Sequence, residues 1–296
     1  MDLAHIRSEA NRYWQQARPE LERLWLHKPV RLAAYAAGGL IAFWLLIWLL
    51  FARGLPSADA LLSYEPPLPT NVRSIDGTPV HSFARERRVQ LAFNEYPPRL
   101  IQAFISAEDK TFFSHSGIDY PGLAGAVIDY VSKIGSGRRA RGGSTITQQV
   151  AKNLLIGDEY SIKRKIKEAI LAWRIEGALS KQQIMELYLN QIFLGRNAYG
   201  VQSASRAYFD KDVGQLTLPE VAYLAILPKA PSNYEPIRHA ERAMERRNWV
   251  LGEMYENGYI TREQRDAART MPLGTRRPTA TPQETVGGYF IEEVRR

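Results

Sequence analysis

The chain contains no cysteine among its 296 residues. This excludes a disulfide framework and any thiolate metal site, and leaves the redox compartment open. It has five histidines, none in the HxxH or HxxxH spacing that sets two imidazoles on one helix face, so no metal-ligand cluster is visible. Repeats of solenoid period are missing as well. Acidic residues are in deficit, 31 Asp and Glu against 39 Lys and Arg, for a net charge of +8 and a pI near 9.6. An excess of that sign points to an anionic partner: nucleic acid, lipid headgroups or a phosphorylated substrate.

Long hydrophobic runs are scarce too. The one that stands out is LAAYAAGGLIAFWLLIWLLFA, residues 32–52, without a single charge. At about 1.5 Å per residue it is long enough to cross a hydrocarbon core of about 30 Å. A cleaved signal peptide fits poorly, because the run is too long and residues 1–31 precede it. Arg7, Arg12, Arg18, Arg23, Lys28 and Arg31 lie before the span and only Arg53 follows closely. The positive-inside rule then predicts a cytoplasmic tail over 1–31 and an extracytoplasmic body.

After the span comes a Pro-rich stalk, GLPSADALLSYEPPLPT, and then NVRSIDGTPVHSFA, where alternation around Asp76-Gly77 predicts a hairpin with a type I′ turn. From Pro98 onward the chain reads helical. Ser180 and Gln183 make a capping box that opens QQIMELYLNQIFL, with Gly195 as its stop, and Thr217 and Glu220 make a second box with Pro219 in its first turn. The expected organisation is a tail (1–31), a transmembrane helix (32–52), a stalk and hairpin (53–97), a mainly α-helical catalytic domain (98–270), and a segment over 271–296 that begins a linker toward a further domain.

Three stretches carry chemistry. In PRLIQAFISAEDK, Ile101, Phe104 and Ile105 form an apolar stripe whose next position is Glu108. A carboxylate there is either a structural Glu paired with Lys or His115, or a general base whose basicity is raised by desolvation. In RGGSTITQQVAKN, glycines lead into Ser144, Thr145 and Thr147, followed by Gln148, Gln149 and Lys152. This is either an N-cap after a loop or a phosphate cradle. GRRARGGS comes near P-loop spacing, but Gly143 stands where a P-loop needs lysine. In SIKRKIKEAILAWRIEGAL, Ile162, Ile166, Ile170 and Trp173 form one stripe and Leu171 and Ile175 another, which predicts a helix central to its domain. Glu168 lies beside Arg164 and Lys165, in a cationic run that is either a solvated face or an anion site.

Taken together the motifs resemble the peptidoglycan glycosyltransferases (glycosyltransferase family 51). ExxxFxxHxGxD (Glu108, Phe112, His115, Gly117, Asp119), GGSTITQQxxKN, RKxKE (Arg164 to Glu168), KxxIxExYLN (Lys181, Ile184, Glu186, Tyr188, Leu189, Asn190) and RxxxVLxxM (Arg246, Val250, Leu251, Met254) occur in the family's order. The resemblance covers roughly residues 64–296 and is closest to the N-terminal part of a bifunctional class A penicillin-binding protein. The transpeptidase motifs SxxK and KTG do not occur, so no transpeptidase activity is expected from these residues.

The resemblance implies a lysozyme-like helical head with a small membrane-proximal lobe. It implies polymerisation of lipid II into glycan strands by inverting transfer, with release of undecaprenyl pyrophosphate. Carried over by motif, Glu108 is the general base and Glu168 a second acidic residue of the site. Lys110, Ser144, Thr145, Gln149, Lys152, Arg164 and Lys165 meet the substrate pyrophosphate, while Asp109, His115, Lys181, Glu186, Asn190 and Arg246 support. No cofactor is required by the sequence, and the family allows a divalent cation such as Mg²⁺ beside the diphosphate. Implied partners are lipid II, the growing strand, the membrane and other cell-wall synthesis proteins, without nucleic acid. The implied location is the bacterial inner membrane, with the catalytic domain periplasmic. PGLAGAVIDYVSKIGSGRRARGG would be the membrane-dipping part, with Arg138, Arg139 and Arg141 toward headgroups or phosphate. A catalytically silent scaffold and a lysozyme-like lytic enzyme are the competing readings. The second has no need of cations placed for a pyrophosphate.

Overall fold

The computed structural model describes residues 27–56, 70–73, 79–83, 89–133, 143–154 and 162–277, with the dipeptides 14–15 and 18–19. It divides into two compact units, Met1–Leu55 and Pro56–Arg296.

In the first unit, α1 (Lys28–Phe51) has no buried residue and is long and apolar enough to cross a membrane. It starts a turn earlier than the uncharged run, because Pro29 sits in its first turn with φ already suited to a helix. Trp44 and Trp48, one turn apart, stack at 5.5 Å.

The second unit is mainly α. Its hairpin pairs β1 (Thr70–Arg73) antiparallel with β2 (Pro79–Phe83), with Val72 opposite His81. The expected Asp76-Gly77 turn lies outside the described residues. The body begins with α2 (Pro98–Glu108), which is opened by Pro98 and buries Leu100, Ala103, Phe104 and Ile105. There follow α3 (Tyr120–Ser132), α4 (Ile146–Leu154), α5 (Ile162–Ala178), α6 (Lys181–Gln191), α7 (Val201–Phe209), α8 (Leu218–Leu224), α9 (Ala240–Glu256) and α10 (Arg262–Thr270).

Two packed groups make the core: α4 against α5 and α6, and α2 against α8 and α9. Phe104 of α2 meets Tyr188 of α6 edge-on at 6.1 Å across them. The helix wrapped on every side is α8, buried from Pro219 to Leu224. That corrects the expectation for α5. Its Leu171 and Ile175 face the core, but Ile162 is 82% and Trp173 54% exposed. Periodicity shows which residues share a face; it does not show that each apolar face finds a neighbour.

Both capping boxes form. The Gln183 carboxamide accepts from the Ser180 N–H at 2.8 Å, and the Glu220 carboxylate accepts from the Thr217 N–H at 2.8 Å. Helix α6 ends at Gln191, three residues short of the expected Leu194, because the chain turns into an isolated bridge between Phe193 and Tyr199. Gly195 makes that turn at φ +84, where a Cβ would meet the Tyr208 hydroxyl at 2.7 Å.

The segment before α2, which includes a short 3-10 turn over Phe93–Glu95, is strapped to α6. The Leu91 N–H donates to Asn190 Oδ1 (3.0 Å), Asn190 Nδ2 donates back to Leu91 O (2.8 Å), and the Phe93 N–H donates to Glu186 (2.8 Å). Tyr96 also donates to Asn190 Oδ1, at 2.8 Å. On the other side, Arg247 is fully buried and donates to the carbonyls of Arg269, Met271 and Pro272, which ties α9 to the chain leaving α10.

Candidate active site

Glu108 is the last residue of α2. It accepts a hydrogen bond from Gln149 Nε2 at 2.8 Å. Burial pushes its pKa above the usual carboxylate value. The Gln149 bond and the charges of Arg246 and Lys229 oppose that shift, and Asp109 adds to it. The apolar face of α2 is centred one position away from the stripe expected at 101/104/105: Leu100 is fully buried and Ile101 only half. Glu108, half-buried, therefore sits at the rim of the core.

Asp109, next in sequence, turns the other way and is buried. It accepts from the Ile146 N–H at 2.9 Å, the first amide of α4, where a helix start favours negative charge. His115 Nε2 lies 3.0 Å from the same carboxylate, and the Gly117 N–H donates to His115 Nδ1 at 3.2 Å. With Nδ1 accepting, Nε2 must carry the proton and donate to Asp109. His115 therefore locks the motif turn and faces Asp109. Gly117, at φ +87, lets the turn lie against α5, where a Cβ would stand 3.0 Å from Ala172 O.

Thr145, expected to orient the pyrophosphate, caps α4. Its hydroxyl donates to Gly117 O (2.7 Å) and accepts from the Gln148 N–H (3.1 Å), and Gln148 accepts from the Thr145 N–H (3.1 Å). The hydroxyl's one O–H donor is committed to the Gly117 carbonyl. Ser144, one residue earlier, instead accepts from Lys165 Nζ at 2.9 Å. Lys165 also donates to Glu168 at 2.6 Å, and Arg164 Nε lies 3.1 Å from the second Glu168 oxygen. Glu168, 1% exposed, is thus a buried anion that gathers two cations of its own helix toward the start of α4. Lys152 is exposed, one helical turn on from Gln149. The stretch from Ser144 to Gln149 is the shared wall: Lys165 of α5 meets its first residue and Glu108 its last.

Other expected residues lie around this wall. Lys110 pairs with Glu253 of α9. Lys181 donates to Glu176 at 2.6 Å and covers the Phe112 ring at 4.5 Å, while Thr147 donates to the same Glu176 oxygen, joining α4, α5 and α6. Glu186 and Asn190 form the strap described above. Arg246 lies over Trp249, 3.6 Å from its ring centroid, and acts electrostatically on Glu108. Lys229, in the short turn Leu227–Lys229, was not among the expected residues.

Among the described residues no group of three His, Asp or Glu could hold a metal ion. Asp109 is committed to His115 and the α4 amide, and Glu168 to two cations. These residues do not fit a protein-held Mg²⁺, so no step is routed through one. Arg138, Arg139 and Arg141 lie outside the described residues. The apolar half of their segment is α3, with no residue buried and Tyr120, Val127, Ile128, Tyr130 and Val131 all more than half exposed.

Sequence comparison gives the class. The profile of the Transglycosylase family matches residues 76–255, and the chain belongs to that family. Its curated relatives include Penicillin-binding protein 1A of Rickettsia felis, 44% identical over 245 residues (83% of this chain and 31% of the relative). The proteins of the same name from Aquifex aeolicus (42% identical, 87% of this chain and 34% of the relative) and Neisseria flavescens (49%, 72% and 26%) are similar too. The chain spans about a third of the length of these relatives.

Proposed function

We propose that this chain is a membrane-anchored peptidoglycan glycosyltransferase that polymerises lipid II. The acceptor sugar hydroxyl attacks the anomeric carbon of the growing strand from the face opposite the pyrophosphate. As the new C–O bond forms, the hydroxyl proton passes to the Glu108 carboxylate. The bond from the anomeric carbon to the pyrophosphate oxygen breaks with inversion, and undecaprenyl pyrophosphate leaves. Arg164, Lys165 and Lys152 neutralise the departing charge, with Ser144 and Gln149 fixing its orientation. Glu168 holds Arg164 and Lys165 in place. Asp109 and His115 keep the motif turn registered on α4.

The observation that carries this reading is the Glu108–Gln149 hydrogen bond at one end of the 144–149 wall, with Lys165 on Ser144 at the other. A base and a cationic leaving-group site share one rigid element. A lytic lysozyme-like enzyme would use the carboxylate and leave the cations without a role. The exposed apolar face of α3 suits a substrate whose tail stays in the bilayer. The charges before α1 set the tail inside and the body in the periplasm.

The test is polymerisation of labelled lipid II in detergent by wild type and Glu108→Gln. Long glycan from the first and essentially none from the second is expected. Polymer from both would remove Glu108 as the base, and none from a folded wild type would remove the polymerase reading.

A further inference from the structure

The reaction steps employ Glu108, Asp109 and Glu168 but not Glu176, which lies about two turns past Glu168 on α5. The Glu176 side chain is only 9% exposed. One of its oxygens accepts from Lys181 Nζ and from Thr147 Oγ1, each at 2.6 Å. Thr147 is itself fully buried. It belongs to the 144–149 wall, between the residue met by Lys165 and the residue met by Glu108.

Three consecutive residues at the start of α4 are tied down, each to a different anchor. The Thr145 hydroxyl donates to Gly117 O, the Ile146 N–H to Asp109, and the Thr147 hydroxyl to Glu176. The first two anchors belong to the turn that begins one residue after Glu108. The third stands on α5, and it reaches that turn as well. Lys181, drawn in by Glu176, covers the ring of the fully buried Phe112 at 4.5 Å. Gly117 lies so close that a Cβ on it would stand 3.1 Å from Glu176 Cγ. The wall and the turn that follows the base therefore share one backing residue. A carboxylate this little exposed must be paired and hydrogen-bonded; here the partners are a cation of α6 and a hydroxyl of the wall.

We propose that Glu176 is a positioning residue for the reaction, setting the spacing between Glu108 and the wall that holds the leaving group. It acts through Thr147 on the wall, and through Lys181 and Phe112 on the turn. Base and leaving-group site come from separate elements, and small errors in their register slow the chemistry steeply. The inference rests on the reading of Glu108 as the base and of the wall as the leaving-group site.

The test is the initial rate of polymerisation against labelled lipid II concentration, using the anchored chain in detergent at a temperature where each variant's melt shows it fully folded. Glu176→Ala is expected to lower kcat by about 10- to 100-fold, the size of a displacement of up to about 1 Å away from the chemistry, with KM kept within about twofold. Glu176→Gln keeps an oxygen for the Thr147 hydroxyl and should restore most of kcat. Thr147→Val removes only that hydroxyl and should give a smaller loss of kcat. Added to Glu176→Ala it should cost nothing further, because the two side chains act as a unit. A wild-type kcat in Glu176→Ala, a loss carried by KM, a Glu176→Gln as slow as Glu176→Ala, or additive losses in the double variant would overturn the proposal. If Glu176→Ala gives no cooperative melt, Thr147→Val decides: kcat must fall while KM stays, and a wild-type kcat overturns the proposal. Glu108→Gln runs alongside: polymer from it would overturn the base assignment and this inference together. No polymer from Glu108→Gln, with wild-type kcat in Glu176→Ala and Thr147→Val, would overturn the inference only.

Discussion

Glu108 and Glu168 are both carboxylates in apolar surroundings, and the molecule treats them in opposite ways. Glu168 sits in the middle of α5 with its counter-ions one turn back on the same helix, at 2.6 and 3.1 Å. Glu108 sits at a helix end, touches a neutral carboxamide, and takes its compensating charge from residues more than 100 positions away. A carboxylate that must stay charged carries local partners that fold with it. One that must gain and lose a proton is better served by an incomplete set, so that neither state is locked.

Four measurements would break or sharpen that contrast. The largest effect is expected for Glu108→Gln, with turnover down about 10³-fold and lipid II affinity kept. A parallel loss of affinity would make the two acids alike. Glu168→Gln should do the reverse, weakening binding of the pyrophosphate substrate. It should also lower stability by about 2 kcal/mol, below the usual range for a broken buried pair because the Lys165 side chain is 54% exposed. An unmoved urea midpoint would show that the ion cluster contributes nothing to the fold. Gly117→Ala tests the turn packed on α5 one helical turn past Glu168. Its φ of +87 and the nearby Ala172 carbonyl predict a cost of about 1–2 kcal/mol. A midpoint equal to wild type would refute the tight packing.

The smallest effect is a gain. The folded state raises the Glu108 pKa, so it binds the proton more tightly than the unfolded chain, and stability falls as pH rises from about 4.5 through the folded value. Glu108→Gln should therefore be more stable than wild type at pH 7, by under about 1 kcal/mol, with no gain at pH 4. Equal melting curves at both pH values would mean that Glu108 carries no such burden.

Much of this was readable in the amino-acid order. Ser180 with Gln183 and Thr217 with Glu220 mark their helix starts because a capping box is a local hydrogen-bond problem solved within four residues. Glu108 and Glu168 stood out for a similar reason, as charges next to apolar stripes. Long-range partners could not be seen that way: nothing around Arg246 or Lys229 says that either will face Glu108. Thr145 was ambiguous in principle, since a hydroxyl before a helix serves a cap or an anion equally well, and its bond to the Gly117 carbonyl was beyond the reach of local pattern. Ile162 and Trp173 had the spacing of a buried stripe, yet both stay more than half exposed.

The strap at Asn190 has a mechanical meaning. Its carboxamide stands in for an adjacent strand, taking the Leu91 N–H and returning a proton to the Leu91 carbonyl, while Glu186 holds the Phe93 N–H two residues on. These bonds lie side by side along the segment through which the chain enters the catalytic body. A pull from the N-terminal end would load these bonds, and through them α6, upstream of α2. The entering segment is thus anchored to α6 upstream of α2, the helix that carries Glu108 at its far end.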